Sequence, residues 1–151
     1  MKRRILLVDD DVAVLLTLKA VLEMHGFEVH TAQSGCEALE RIKLDRYHMV
    51  ITDLRLESDN TGWQVVRAAR EQPYRPATAI LTAYPPLDGN EQERGAQSVL
   101  VKPVGTKDLV RQIEALLVRN EDEKQRLRTT SNTTTLPADI TAEPKQTRKA
   151  S

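Results

Sequence analysis

Only one cysteine, Cys36, stands in the 151 residues, so the chain can form no internal disulfide and no cysteine-based zinc site, a usage that suits a reducing compartment. Net charge is also lacking. The 22 Lys and Arg balance 22 Asp and Glu, and no global field draws the protein towards nucleic acid or a membrane surface. Recognition must be local. Long hydrophobic runs are missing too: Met1-Lys2-Arg3-Arg4 is basic, but the apolar run behind it, Ile5 to Val8, ends at three aspartates and is far too short for a signal peptide or a spanning helix. A cytoplasmic protein is the expectation. His25, His30 and His48 share no spacing that suits a zinc site and read as helix-end or strand-face residues. No glycine-rich phosphate loop is present, which leaves nucleotide binding unsupported. Asn132-Thr133-Thr134 matches a glycosylation sequon, but no secretory signal accompanies it.

What is there is one core. With 40% hydrophobic residues the chain has room for one domain of ordinary size plus a tail. Met49-Val50-Ile51-Thr52 is an unbroken β-prone run that ends at Asp53. A strand with one wet face would alternate polar and apolar residues, so this one is buried on both faces. An ionised carboxylate is costly in such a core, and the natural place for Asp53 is the strand's carboxyl end, where open α/β sheets bind ligands. Ile5 to Val8 repeats the pattern, with Asp9-Asp10-Asp11 behind it.

Asp11 is expected to cap a helix from about Val12 to His25, with Val14, Leu15, Leu18, Val21 and Leu22 at helical spacing and Gly26 as its stop. Phe27 to Ala32 reads as an outer strand, and Ser34-Gly35 opens a helix through Ile42. A further helix spans about Gly62 to Glu71, with Trp63 on its packed face. Ala77 to Ala83 is the fourth strand, a short weak helix is expected within Leu87 to Arg94, and Ser98 to Val101 is the fifth strand. Thr106 is expected to cap a last helix carrying Leu109, Val110, Ile113, Leu116 and Leu117. Strand and helix alternate throughout. Parallel neighbours require crossovers, which are right-handed almost without exception, so the expectation is an α/β fold of flavodoxin-like, doubly wound type. It has a five-stranded parallel sheet in the order 2-1-3-4-5 and helices on both faces.

That topology delivers Asp9 and Asp10, Asp53, Thr82 and Lys102 to one sheet edge. Clustered carboxylates repel one another and are relieved by a hard divalent ion with oxygen ligands, Mg²⁺ being the one implied. A carboxylate beside such an ion can attack phosphorus. A hydroxyl and an ammonium group can hold the phosphoryl oxygens.

The set Val8-Asp9-Asp10, Asp53 after an apolar strand, Thr82-Ala83, and Lys102-Pro103 preceded by Gly95-Ala96 resembles the receiver domain of two-component response regulators over roughly Arg4 to Val118. The resemblance implies that Asp53 is the phosphoacceptor. It also implies that Asp10 ligates Mg²⁺ directly, that Asp9 does so directly or through water, and that the backbone carbonyl of Arg55 completes the protein ligands. Thr82 and Lys102 would be the switch hydroxyl and the phosphate-binding lysine. The donor would be a phosphohistidine on a sensor histidine kinase or phosphotransfer protein, or a small molecule such as acetyl phosphate. There are departures. Val99 stands where receivers usually carry Tyr or Phe, Glu57 where they commonly carry Pro, the loop to Gly62 is longer by one residue, and the segment from Thr82 to Lys102 is shorter.

Residues 1–120 are thus expected to form the receiver domain, and 121–151 a polar extension of the last helix followed by a disordered Thr/Ser/Pro-rich tail. Too few residues follow Val118 for an output module. A single-domain response regulator signalling through an unidentified protein partner is therefore expected, with no nucleic-acid or membrane binding, as a monomer or weak homodimer. Catalysis would be limited to self-catalysed phosphotransfer and dephosphorylation at Asp53. The alternative is a phosphorylation-independent interaction module with a degraded switch, which Val99, the sparse helix within Leu87 to Arg94 and the altered loop after Asp53 favour and the complete acid-threonine-lysine set opposes.

Overall fold

The computed structural model describes residues 2–58, 61–83, 98–101 and 105–140. The strands are β1 (Arg4–Val8), β2 (Glu28–Ala32), β3 (Met49–Thr52), β4 (Ala77–Thr82) and β5 (Ser98–Val101); the helices are α1 (Val12–Met24), α2 (Gly35–Leu44), α3 (Thr61–Arg70) and α4 (Thr106–Ile140). All four strand pairings are parallel, in the order β2-β1-β3-β4-β5. The expected doubly wound topology is the observed one. The weak helix expected within Leu87 to Arg94 lies outside the described residues, as do Lys102 and Pro103.

Two compact units divide the chain, Met1–Leu117 and Val118–Ser151. In the first, the pleat sends alternate residues of each strand to opposite faces. Ile5, Leu7, Met49, Ile51, Ala79 and Leu81 share one apolar cluster with Leu15 and Leu22 of α1 and with Leu109, Ile113 and Leu117 of α4. Leu6, Val8 and Val50 face the other way, against Ala38 and Ile42 of α2 and Val65 and Ala69 of α3. β3 and β4 are buried at every position, as unbroken apolar runs require when helices cover both faces. Phe27 packs into the first cluster but precedes β2, whose burial is only partial; β2 is the edge strand that its alternation predicts.

Local chemistry sets the helix ends. The Asp11 carboxylate accepts from the N–H groups of Ala13 and Val14, and His25 is the carboxyl-terminal cap of α1, followed by Gly26 at φ +92°. Gly105, rather than the expected Thr106, takes the capping place of α4: its carbonyl accepts from Leu109 N–H at 2.9 Å, and Thr106 is already helical.

In the second unit α4 continues to Ile140. It therefore runs through Thr129–Ile140, a stretch that the sequence reading gave to the tail. Local pairs support its polar turns: Lys124 Nζ lies 3.4 Å from Glu121 Oε1, and Thr129 Oγ1 donates to Gln125 O at 3.0 Å. Such contacts stabilise helix by tenths of a kcal/mol each. The described residues include no helix long and apolar enough to cross a membrane.

Candidate functional site

β1 and β3 are neighbours in register, with Val8 level with Thr52. The residue after each strand therefore emerges at the same height on the sheet's carboxyl edge. Backbone bonds extend the ladder to these residues: Asp9 N–H donates to Ala32 O at 3.1 Å and Asp53 N–H to Val8 O at 2.7 Å. Asp9 and Asp53 thus hang from the ordered end of the sheet rather than from a loose loop.

The three consecutive acids behind β1 have separate tasks. Asp9 is 3% exposed, and its Oδ1 accepts from Asp11 N–H at 2.9 Å, which braces the turn into α1. Asp10 is exposed. Asp11 is engaged by α1, its Oδ1 lying 3.0 Å from Ala13 N and 3.4 Å from Val14 N, so it is a cap, as its spacing predicts. Carboxylate oxygens of Asp9, Asp10 and Asp53 all lie within 4.8 Å of one another. No other group of three or more His, Cys, Asp or Glu among the described residues could hold a metal ion.

The donor set is all oxygen and all anionic, which fits a hard divalent cation and not zinc. Its burial grades from the covered Asp9 through half-buried Asp53 to open Asp10, so one side of the cluster faces solvent, where an ion can keep the waters that Mg²⁺ rarely surrenders. Asp53 Oδ1 is 3.4 Å from Arg55 N–H, long for a hydrogen bond, and the Arg55 side chain is exposed. Thr82, at the end of β4, is 2% exposed and is level with Val101 of β5. Lys102 is the next residue after Val101 and lies outside the described residues.

Two features of the site were not read from sequence. Gly62 N–H donates to Leu54 O at 3.1 Å, and a β-carbon on Gly62 would collide with the Asp53 carbonyl oxygen and come within 2.7 Å of Leu54 Cα. The start of α3 therefore lies directly on the backbone of the acidic residue. Glu57 in turn reaches the amino end of α2, its two oxygens 2.9 and 3.1 Å from Gly35 N. The available signals were the identities of Gly62 and Glu57 alone, and neither names its partner.

The remaining sequence expectations concern packing. Trp63 is 8% exposed in a cluster with Leu54, Val66 and Ile80, and half-buried Val99 packs on the same group. His48 Nδ1 accepts from Arg4 N–H at 2.9 Å. His30 Nδ1 is 2.8 Å from the Tyr47 hydroxyl, and their rings meet edge to face. Burial, followed by the nearby Asp45 carboxylate, pushes the Tyr47 hydroxyl up to about 12. Tyr74, whose hydroxyl donates to Ile42 O at 2.8 Å, is also raised to about 12, chiefly by burial.

Relatives carry the same architecture. At 36% identity over 118 residues, 77% of the chain matches half of the transcriptional regulatory protein PrrA of Mycobacterium tuberculosis. At 35% identity, 80% of the chain matches half of the transcriptional regulatory protein SrrA of Staphylococcus aureus. The chain thus spans about half the length of these curated relatives. Among solved structures, a CheY-like response regulator receiver domain protein from Methanospirillum hungatei superposes with a TM-score of 0.75 at 30% identity, covering 82% of this chain and 99% of that one. The response regulator TrrA from Thermotoga maritima, solved in complex with Mg²⁺-BeF, gives a TM-score of 0.67 at 29% identity over 76% of this chain and 98% of that one. The family model for the response regulator receiver domain matches residues 5–114. The chain belongs to the response regulator receiver domain family of two-component systems.

Proposed function

We propose that the chain accepts a phosphoryl group on Asp53, in a Mg²⁺-dependent step, from a phosphohistidine on a sensor histidine kinase or phosphotransfer protein, and passes the signal on through a protein partner. The single observation that carries this reading is the convergence of the Asp9, Asp10 and Asp53 carboxylates within 4.8 Å at the carboxyl edge of the sheet. Asp9, Asp10 and Asp53, with the backbone carbonyl of Arg55, would hold the cation. When bound, it neutralises the carboxylates and the charge on the phosphoryl oxygens.

An Asp53 carboxylate oxygen attacks phosphorus as the P–N bond to the donor histidine breaks. The electron pair of that bond stays on the imidazole, and the product is an aspartyl phosphate. The ladder bond from Asp53 N–H to Val8 O, at 2.7 Å, fixes the nucleophile's backbone, and orientation of this kind removes much of the entropic barrier. Thr82 Oγ1 donates to one phosphoryl oxygen and Lys102 supplies a positive charge to another. Water then attacks the aspartyl phosphate, releasing inorganic phosphate and returning Asp53 to the carboxylate, so the chemistry is self-catalysed and acts on no substrate beyond the phosphodonor.

Val12 and Leu16, one helical turn apart directly behind the acidic loop, are 45% and 63% exposed, and apolar side chains beside a charged site suit a protein partner. The transcriptional role in the relatives' names belongs to chains of which the match covers half; phosphoacceptance and signalling to a protein partner are what we attach to this one.

A second reading has one observation in its favour. Val99 packs against the Leu54, Trp63 and Ile80 cluster, filling by simple packing a position from which a larger ring would swing, which favours a phosphorylation-independent interaction module. Intact-mass spectrometry after incubation with acetyl phosphate, with and without Mg²⁺, separates the two. The first reading expects a magnesium-dependent phosphate adduct that Asp53→Ala abolishes. No adduct under conditions that label an ordinary receiver sinks it in favour of the second.

A further inference from the structure

The first backbone N–H groups of a helix have no carbonyl within the helix to bond. At the start of α2, Ser34 Oγ accepts from Glu37 N–H at 3.1 Å, and Glu37 Oε1 accepts from Gln33 N–H at 2.8 Å. Neither bond serves the N–H of Gly35, which is met from 22 residues along the chain: Glu57 Oε1 and Oε2 lie 2.9 and 3.1 Å from Gly35 N. A carboxylate at this end of a helix also meets the positive pole of its dipole. Gly35 is buried, and a β-carbon there would strike Thr61 Cγ2, so a larger residue would have to push the Thr61 side chain aside.

Glu57 sits four residues after Asp53 and two after Arg55. The loop that carries them contains no proline, the first in the chain being Pro73, so only non-covalent ties hold it. One is the Gly62 N–H bond to Leu54 O at 3.1 Å. At its far end Ser58 N–H and Ser58 Oγ both meet Thr61 Oγ1, at 3.2 and 2.8 Å. In the span between them, Leu56 packs half-buried against the cluster of Leu6, Val8 and Ala38, and the Glu57 carboxylate adds a polar tie to α2.

We propose that Glu57 is a positioning residue for the acidic site: its carboxylate, hooked on the amino end of α2, holds the loop that carries Arg55, whose backbone carbonyl is the fourth protein ligand in the reading above. The inference rests on the reading of those groups as the cation's ligands. It is a claim about reach and not about charge. Glu57 is solvent-exposed, and a lone exposed charge screened by physiological salt alters the affinity of a nearby ion by about twofold at most. A partner that orients a ligand is worth more, on the order of tenfold in metal affinity.

Two conservative variants separate reach from charge. Glu57→Gln keeps the length and a carbonyl acceptor but loses the charge; Glu57→Asp keeps the charge but is one methylene too short. MgCl₂ is titrated against the full chain, with Trp63 fluorescence and the thermal midpoint as independent readouts, since Trp63 packs on Leu54 beside Asp53. Circular dichroism without metal verifies that each variant is folded. The expected order is wild type and Glu57→Gln within about twofold of each other, and Glu57→Asp weaker by about tenfold. Any other order overturns the proposal, including a normal Asp variant beside a weakened Gln variant, which would make Glu57 a charge and not a tether. A wild-type chain in which Mg²⁺ moves neither readout would instead refute the reading of the acidic site, and the proposal with it.

Discussion

Replacing Gly62 with alanine adds one methyl group where the start of α3 presses on the site. Two effects oppose each other. Gly62 is the second residue of α3, and within a helix alanine is favoured over glycine by about 1 kcal/mol. Propensity alone therefore predicts a more stable protein. The added carbon, however, would collide with the Asp53 carbonyl oxygen and stand 2.7 Å from both Leu54 Cα and Leu54 O.

All three are backbone atoms, and both residues are held by neighbours: Asp53 through its bond to Val8 O and Leu54 through its buried place beside Trp63 and Ile80. Overpacking costs about 1–3 kcal/mol, and the upper end applies when main chain must move. The expected balance is a loss of about 2 kcal/mol, a fall of roughly 8 °C in Tm for a domain of this size. Urea and thermal unfolding by circular dichroism measure it, and acetyl phosphate labelling should slow because Asp53 shifts with its carbonyl. Gly26→Ala is the control, since nothing lies within 4 Å of a β-carbon there and its cost is only the positive φ, about 1 kcal/mol. A Gly62→Ala protein as stable as wild type, or more so, would refute the close approach of α3 to the Asp53 backbone.

Two further outcomes follow from the same geometry. Asp11→Ala removes the acceptor for the Ala13 and Val14 N–H groups and should lower stability by about 1 kcal/mol in urea unfolding, leaving Mg²⁺ affinity within about twofold if Asp11 is a cap and not a ligand. Tyr47 and Tyr74 hold their hydroxyls up to about 12 in the folded protein, against an ordinary 10.0. Because the fold favours the neutral phenols, their contribution is fully present below pH 10 and is lost as pH rises from about 10 to about 12. Tyrosinate absorbance followed alongside circular dichroism should show these two ionising together with unfolding; ionisation of all tyrosines near pH 10, with the fold intact, would contradict their burial.

Much of this protein is local in origin. Short unbroken β-prone runs such as Met49 to Thr52 read as strands covered on both faces, and the Asp11 and Ser34 caps announce helices without reference to any partner. Alternation of the two element types, with right-handed crossovers, leaves few sheet orders, and the observed β2-β1-β3-β4-β5 order is among them. The expected set of Asp9, Asp10, Asp53, Thr82 and Lys102 rests on the same local property, since each ends a strand or lies within two residues of its end; of these, Asp9, Asp10 and Asp53 are seen to converge.

Contacts across the fold were not legible. The 4.8 Å convergence of the acids depends on Val8 lying level with Thr52, a register set by packing on both sheet faces. Glu57 meets Gly35, and Gly62 meets the Asp53 backbone, because α2 and α3 lie side by side on one face of the sheet. Side-chain type and spacing encode which element forms. Which elements touch is decided only when the apolar faces are buried together, since that burial is non-directional and summed over the whole core.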